Sequence, residues 1–76
     1  MDELTDKTYE RVGELINRFA RMKGRTNTEV AHALLTSRTL AKYGYRHEQK
    51  GRLTETQGQA AIRLLTYWIG ASDGMH

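Results

Sequence analysis

Seventy-six residues carrying 12 Lys and Arg against 9 Asp and Glu, with no cysteine and no proline, describe one small basic domain. Such a chain buries only about 60% of its unfolded surface, which argues against a deep enzymatic cleft. The missing cysteines exclude a disulfide framework and a thiolate metal site. No apolar run approaches the roughly 20 residues of a membrane span, and Met1-Asp2-Glu3 opens on acids where a signal peptide carries lysine or arginine, so a soluble, cytoplasmic protein is expected.

Apolar residues recur at helical spacing and do not alternate, so the expected fold is all-α. The first helix is read from about residue 5 to Lys23, with Thr5 as N-cap, Leu4 packing on Tyr9 as a hydrophobic staple, and Gly24 as the left-handed stop. Val12, Leu15, Ile16, Phe19 and Met22 share its core face. Lys7, Arg11, Arg18 and Arg21 form a second stripe, interrupted by Glu14, that reads either as a solvated face or as part of a binding surface.

A capping box, Thr26 with Glu29, opens the second helix, which runs to about residue 36. Val30, Ala31, Leu34 and Leu35 face inward and His32 outward. Ser37 to Tyr43 forms a short helix with Leu40 and Tyr43 on one side. From Gly44 to about Arg52 the apolar pattern breaks, which predicts a mobile basic loop. Thr54 and Gln57 make a second capping box, and the last helix is expected to continue to Ile69 and end at Gly70, leaving Ala71 to His76 as a frayed tail. Its apolar arc, including Trp68, is broad enough to suggest burial on several sides or a homodimer interface. Gln59, Arg63 and Thr66 form its wet stripe.

Charge is unevenly placed along this framework. Between Ser37 and Arg52, five basic residues stand against the single acid Glu48, giving +4, while the other sixty residues sum to −1. Basic side chains interleaved with Tyr43 and Tyr45 suit an anionic polymer whose bases stack. Tyr45, in the loop between Lys42 and Arg46, is the ring expected to stack, while Tyr43 is expected to cover the core beside Leu40. Arg38, Lys42, Arg46, Lys50 and Arg52 are the phosphate contacts, with Arg11, Arg18 and Arg21 extending the surface. Single-stranded DNA is the favoured partner, and an acidic protein surface is the competing one.

Catalysis and metal binding find little support. His32, His47 and His76 fall on a helix, a loop and the tail without a nucleophile or carboxylate pair nearby, and no His-x-x-x-His spacing occurs. No catalytic residue, metal ligand or cofactor is assigned.

Thr28 to Tyr43, with Val30, Ala31, Leu34 and Ser37 in register, resembles the helix-turn-helix of bacterial and phage repressors. Leu35 stands where that family has its turn glycine and Thr36 where it has an apolar residue. The resemblance implies Arg38, Thr39 and Lys42 in the major groove, with arginine able to read guanine. A second resemblance covers Tyr9 to Met22, Thr26 to Leu35 and Leu53 to Ile69. Its strongest element is the final Leu53-Thr54-x-x-Gln57 helix with its alanines, Ile62 and terminal Trp68-Ile69. It is similar to the small helical C-terminal modules of phage and prophage single-strand annealing recombinases. It implies a mobile-element accessory protein that works on single-stranded DNA or a replication partner without catalytic residues of its own.

Overall fold

The structure is a computed structural model of the chain and describes residues 2–49 and 51–73. Four helices make up an all-α bundle: α1 (Asp6–Lys23), α2 (Asn27–Leu35), α3 (Arg38–Lys42) and α4 (Glu55–Asp73). Local sequence chemistry starts each of them. Thr5 caps α1 by accepting from the Thr8 N–H, Ser37 caps α3 by accepting from the Leu40 N–H, and Thr26 with Glu29 forms the expected reciprocal box at α2. At α4 the Gln57 N–H donates to Thr54 Oγ1 at 3.1 Å, while the Thr54 N–H donates to Gln57 Oε1 at 3.0 Å. Each cap satisfies backbone donors that a helix start otherwise leaves open.

Val12, Leu15, Ala20, Val30, Leu34, Leu40, Ala61 and Leu65 form the buried core, with Phe19 and Trp68 against it at a ring-centroid distance of 5.5 Å. Met22, expected inside, is 38% exposed. It lies in the last turn of α1, where the core is ending, and Ala20 supplies the buried residue there instead. Trp68 packs on the core but keeps part of its surface open, as do Leu64 and Ile69, and Tyr67 beside them is 70% exposed.

α4 does not stop at Gly70. Glycine ends a helix when it adopts the left-handed conformation, and among the described residues only Gly24, Gly44 and Gly51 have positive φ. Gly70 stays helical, α4 continues through Ala71 and Ser72 to Asp73, and the expected tail is helix over those residues. Gly74 to His76 lie outside the described residues.

α1 and α4 run parallel, side by side. Thr5 meets Glu55 at a sequence separation of 50 and Thr8 meets Gln59 at 51, and Phe19 beside Trp68 continues the same register. Parallel packing brings two positive helix N-termini together, an arrangement that favours negative charge between them. The chain supplies it by exchanging caps between the two helices. Glu55 accepts from the Thr5 N–H at 3.0 Å, the Thr8 hydroxyl at 2.6 Å and the Gln59 amide at 3.0 Å. In return, the Asp2 carboxylate accepts from the Thr56 N–H at 3.2 Å and the Asp2 carbonyl from the Glu55 N–H at 3.1 Å.

These donors hold the carboxyls low. The Thr5 N–H, then the Thr8 hydroxyl and Gln59 amide, pull Glu55 down to about 2. Thr56 lowers Asp2, and the Thr26 N–H lowers Glu29. A depressed folded-state value stabilises the fold above the unfolded-state value and ceases to do so as pH falls through the folded one. Thermal stability is therefore expected to hold above about pH 5 and to fall for Glu55 between its ordinary 4.5 and about 2. Glu55→Gln should melt lower than wild type at neutral pH and show a shallower acid slope, measured by circular dichroism from pH 7 to 2. Equal slopes would remove Glu55 from this role.

Candidate functional site

The basic segment is built differently from a loose loop. α3 ends in a Schellman turn: Gly44 takes φ +86°, its N–H donates to the Ala41 carbonyl at 3.0 Å, and the Tyr45 N–H reaches back to the Leu40 carbonyl at 3.0 Å. This turn brings the residue after the glycine against the third residue from the helix end. Tyr45 accordingly packs against the core that contains Leu40. Tyr43 is left on the outside, 42% exposed. The expected placements of the two tyrosines are thus exchanged, Tyr45 against the core and Tyr43 outside, and the glycine at position 44 is the sequence signal that points to the exchange.

Further along, Gln49 and Gln57 form a reciprocal amide pair. Gln49 Nε2 donates to Gln57 Oε1 at 3.1 Å and Gln57 Nε2 donates to Gln49 Oε1 at 3.2 Å. Gln57 Nε2 also donates to the Tyr43 carbonyl at 3.2 Å, and Gln49 Nε2 to the Arg52 carbonyl at 3.2 Å. Gln57 is 3% exposed, so one buried amide caps α4, holds the end of α3 and clamps the loop. The loop expected to be mobile is tied down at Tyr45 and Gln49. Lys50 lies outside the described residues.

Arg38 and Lys42 are four residues apart on α3 and share its outer face, opposite fully buried Leu40. Both are exposed, as is Arg46 beyond the turn, and none of the three makes an ion pair among the described residues. Arg52 is turned elsewhere: its guanidinium lies 4.6 Å from the Tyr9 ring centroid and 4.0 Å from Asp6, over a crevice lined by Leu4, Val12 and Leu53. It lies against α1, away from Arg38, Lys42 and Arg46, because the chain entering α4 passes the N-terminal half of α1, and its side chain remains exposed. On α1, Arg11 pairs with Glu14 at 3.5 Å, while Arg18 and Arg21 are exposed and unpaired among the described residues. Exposed pairs of this kind contribute about 0–1 kcal/mol, so Arg11 is held only weakly.

Arg63, which sequence reading placed only on a wet stripe, meets Tyr43 at the end of α3. Its Cζ lies 5.6 Å from the Tyr43 ring centroid, and its guanidinium donates to the Tyr43 hydroxyl at 3.1 Å. Nothing local links residues twenty apart on different helices. The packing of α3 on α4 brings them together.

The polar side chains of α4 divide between its two neighbours. Glu55 turns toward α1, where Asp2 and Asp6 also contribute acid, while Gln57 and Arg63 turn toward α3 and its cations. Among the described residues no three His, Cys, Asp or Glu side chains gather in a way that could hold a metal ion, and no helix is long and apolar enough to cross a membrane. No family model, curated protein or solved structure matches the chain.

Proposed function

We propose that this protein is a non-enzymatic nucleic-acid-binding accessory protein of phage or mobile-element type, which holds phosphates on the α3 surface. The observation that carries the reading is the set Arg38, Lys42 and Arg46, exposed and free of ion pairs among the described residues, beside the Arg63–Tyr43 contact. Among the acids, Asp2, Glu29 and Glu55 serve as helix caps, and Glu14, Glu29 and Asp6 pair with Arg11, Arg25 and Arg52, while Glu48 is the one exposed acid in the basic segment. Lysine and arginine left without partners neutralise phosphates and release counterions. The mobile-element assignment rests on the resemblance to recombinase modules, and single-stranded DNA is the favoured ligand.

Phosphate holding is favoured over reading of base edges. α3 has five residues, about 7.5 Å of helix, and Thr39, which would share the groove in a repressor, is half-buried. Thr36 closes α2 at φ −96°, without the left-handed turn that the repressor glycine provides.

Fluorescence anisotropy against labelled single-stranded DNA, duplex DNA and RNA at several salt concentrations tests the proposal. With Arg38, Lys42, Arg46 and Arg63 engaged, the log-log salt slope should be about −2.8 on single strands and about −3.6 on duplex. The Arg38→Ala, Lys42→Ala, Arg46→Ala triple variant should lose about 2 units of the single-strand slope. No binding tighter than about 10⁻⁴ M, or a slope near zero, would overturn the proposal and assign the surface to an acidic protein.

A further inference from the structure

The Tyr43–Arg63 pair, we infer, is a stacking platform for an unpaired nucleobase, which makes the α3 surface selective for single strands over duplex. This inference rests on the nucleic-acid reading above and adds to it the part of the ligand other than phosphate.

Three observations converge on the pair. The backbone of Tyr43 is fixed on both sides: its N–H donates to the Leu40 carbonyl at 3.1 Å and its carbonyl accepts from buried Gln57 at 3.2 Å. Its hydroxyl accepts from Arg63 at 3.1 Å, so the ring is restrained as well and loses little freedom on binding. Next, Tyr43 as a residue is 42% exposed, and the Arg63 guanidinium lies over its ring, 5.6 Å from the centroid. An aromatic ring and a guanidinium plane are the two surfaces on which splayed-out bases stack, and the positive charge adds attraction for the neighbouring phosphate. Lastly, the cations flank the ring along the chain, Lys42 immediately before it and Arg46 just past the turn, both exposed. A strand laid along them carries its phosphates past Tyr43. A paired base is buried in its duplex stack and offers no face to the ring.

A simple brace between α3 and α4 would show the same Arg63–Tyr43 contact, so the test separates bases from phosphates. Anisotropy at one fixed salt concentration compares a 12-residue thymidylate strand with an abasic strand of the same length. Wild type should prefer the thymidylate strand by about 5- to 150-fold, the range for one stacked base. Tyr43→Leu should abolish the preference while leaving the salt slope unchanged, and Tyr43→Phe should keep it. Equal affinity of wild type for the two strands, or a preference that survives Tyr43→Leu, overturns the inference while the phosphate surface stands. Absence of salt-dependent binding to either strand overturns both. Should Tyr43→Leu fail to fold, irradiating wild-type protein bound to an iodouracil-substituted strand decides the matter: a crosslink at Tyr43 supports the platform, and crosslinks only at other residues reject it.

Discussion

Gly58→Ala should destabilise the protein by about 1–3 kcal/mol, the range for forcing a methyl group into a filled contact. Alanine in an open helix interior would instead gain roughly 0.5–1 kcal/mol over glycine, so even the sign of the effect is diagnostic. A Cβ at position 58 would stand 2.6 Å from Leu4 Cδ1 and 2.7 Å from Thr8 Cγ2. The leucine methyl is the far end of a flexible side chain and can turn away. Thr8 is different, because its β-branched side chain is 4% exposed and its hydroxyl is committed to Glu55 at 2.6 Å. Relief must come from moving α1 and α4 apart, which disturbs the exchange of caps at their N-termini. In a domain this small each kcal/mol corresponds to roughly 4–8 °C in melting temperature. Thermal denaturation should show the fall, and Thr8→Ser, which deletes Cγ2 and keeps the hydroxyl, should restore most of it in the double variant. A Gly58→Ala protein that melts above wild type would refute the close approach.

Gln57→Ala is expected to cost about 2–4 kcal/mol, through the donors and acceptors it strands. The Tyr43 carbonyl, the Thr54 N–H and the Gln49 amide all lose a partner at once. Gln49→Ala should cost less, since Gln49 is only half-buried and Gln57 then keeps its cap and its bond to Tyr43. The two variants also differ in reach. Without Gln57 the loop loses its clamp and the end of α3 its anchor, so limited trypsin digestion should cut after Arg46 sooner in Gln57→Ala than in wild type. Unchanged melting and digestion would show that the amide pair contributes nothing to the fold.

Much of the helix framework is legible because its signals are local. Thr5, Thr26, Ser37 and Thr54 announce helix starts by hydrogen bonds that span three residues, and the 3.6-residue period marks Val12, Leu15, Val30, Leu34 and Leu65 as core. Pairing between helices leaves no comparable trace. Glu55 reads as an ordinary first-turn acid until α1 is found beside it, and Arg63 as a solvated residue until α3 delivers Tyr43. Arg52 groups with the basic segment by composition, but in the fold it lies beside Tyr9 and Asp6. The exchange of Tyr43 and Tyr45 was open to local reasoning: a glycine that closes a helix turns the following residue inward, so Gly44 points to Tyr45 as core and leaves Tyr43 outside.

The parallel register of α1 and α4 has a consequence for how the chain assembles. In an up-and-down bundle neighbouring helices are joined by short turns, so a helix finds its partner almost as soon as both exist. Here α1 meets its main partner across a separation of 50 residues, and α2 and α3 lie within the loop that this contact closes. Contacts this distant in sequence cost more closure entropy than local ones and slow folding. During synthesis α1 has only α2 to pack on until the ribosome has delivered α4.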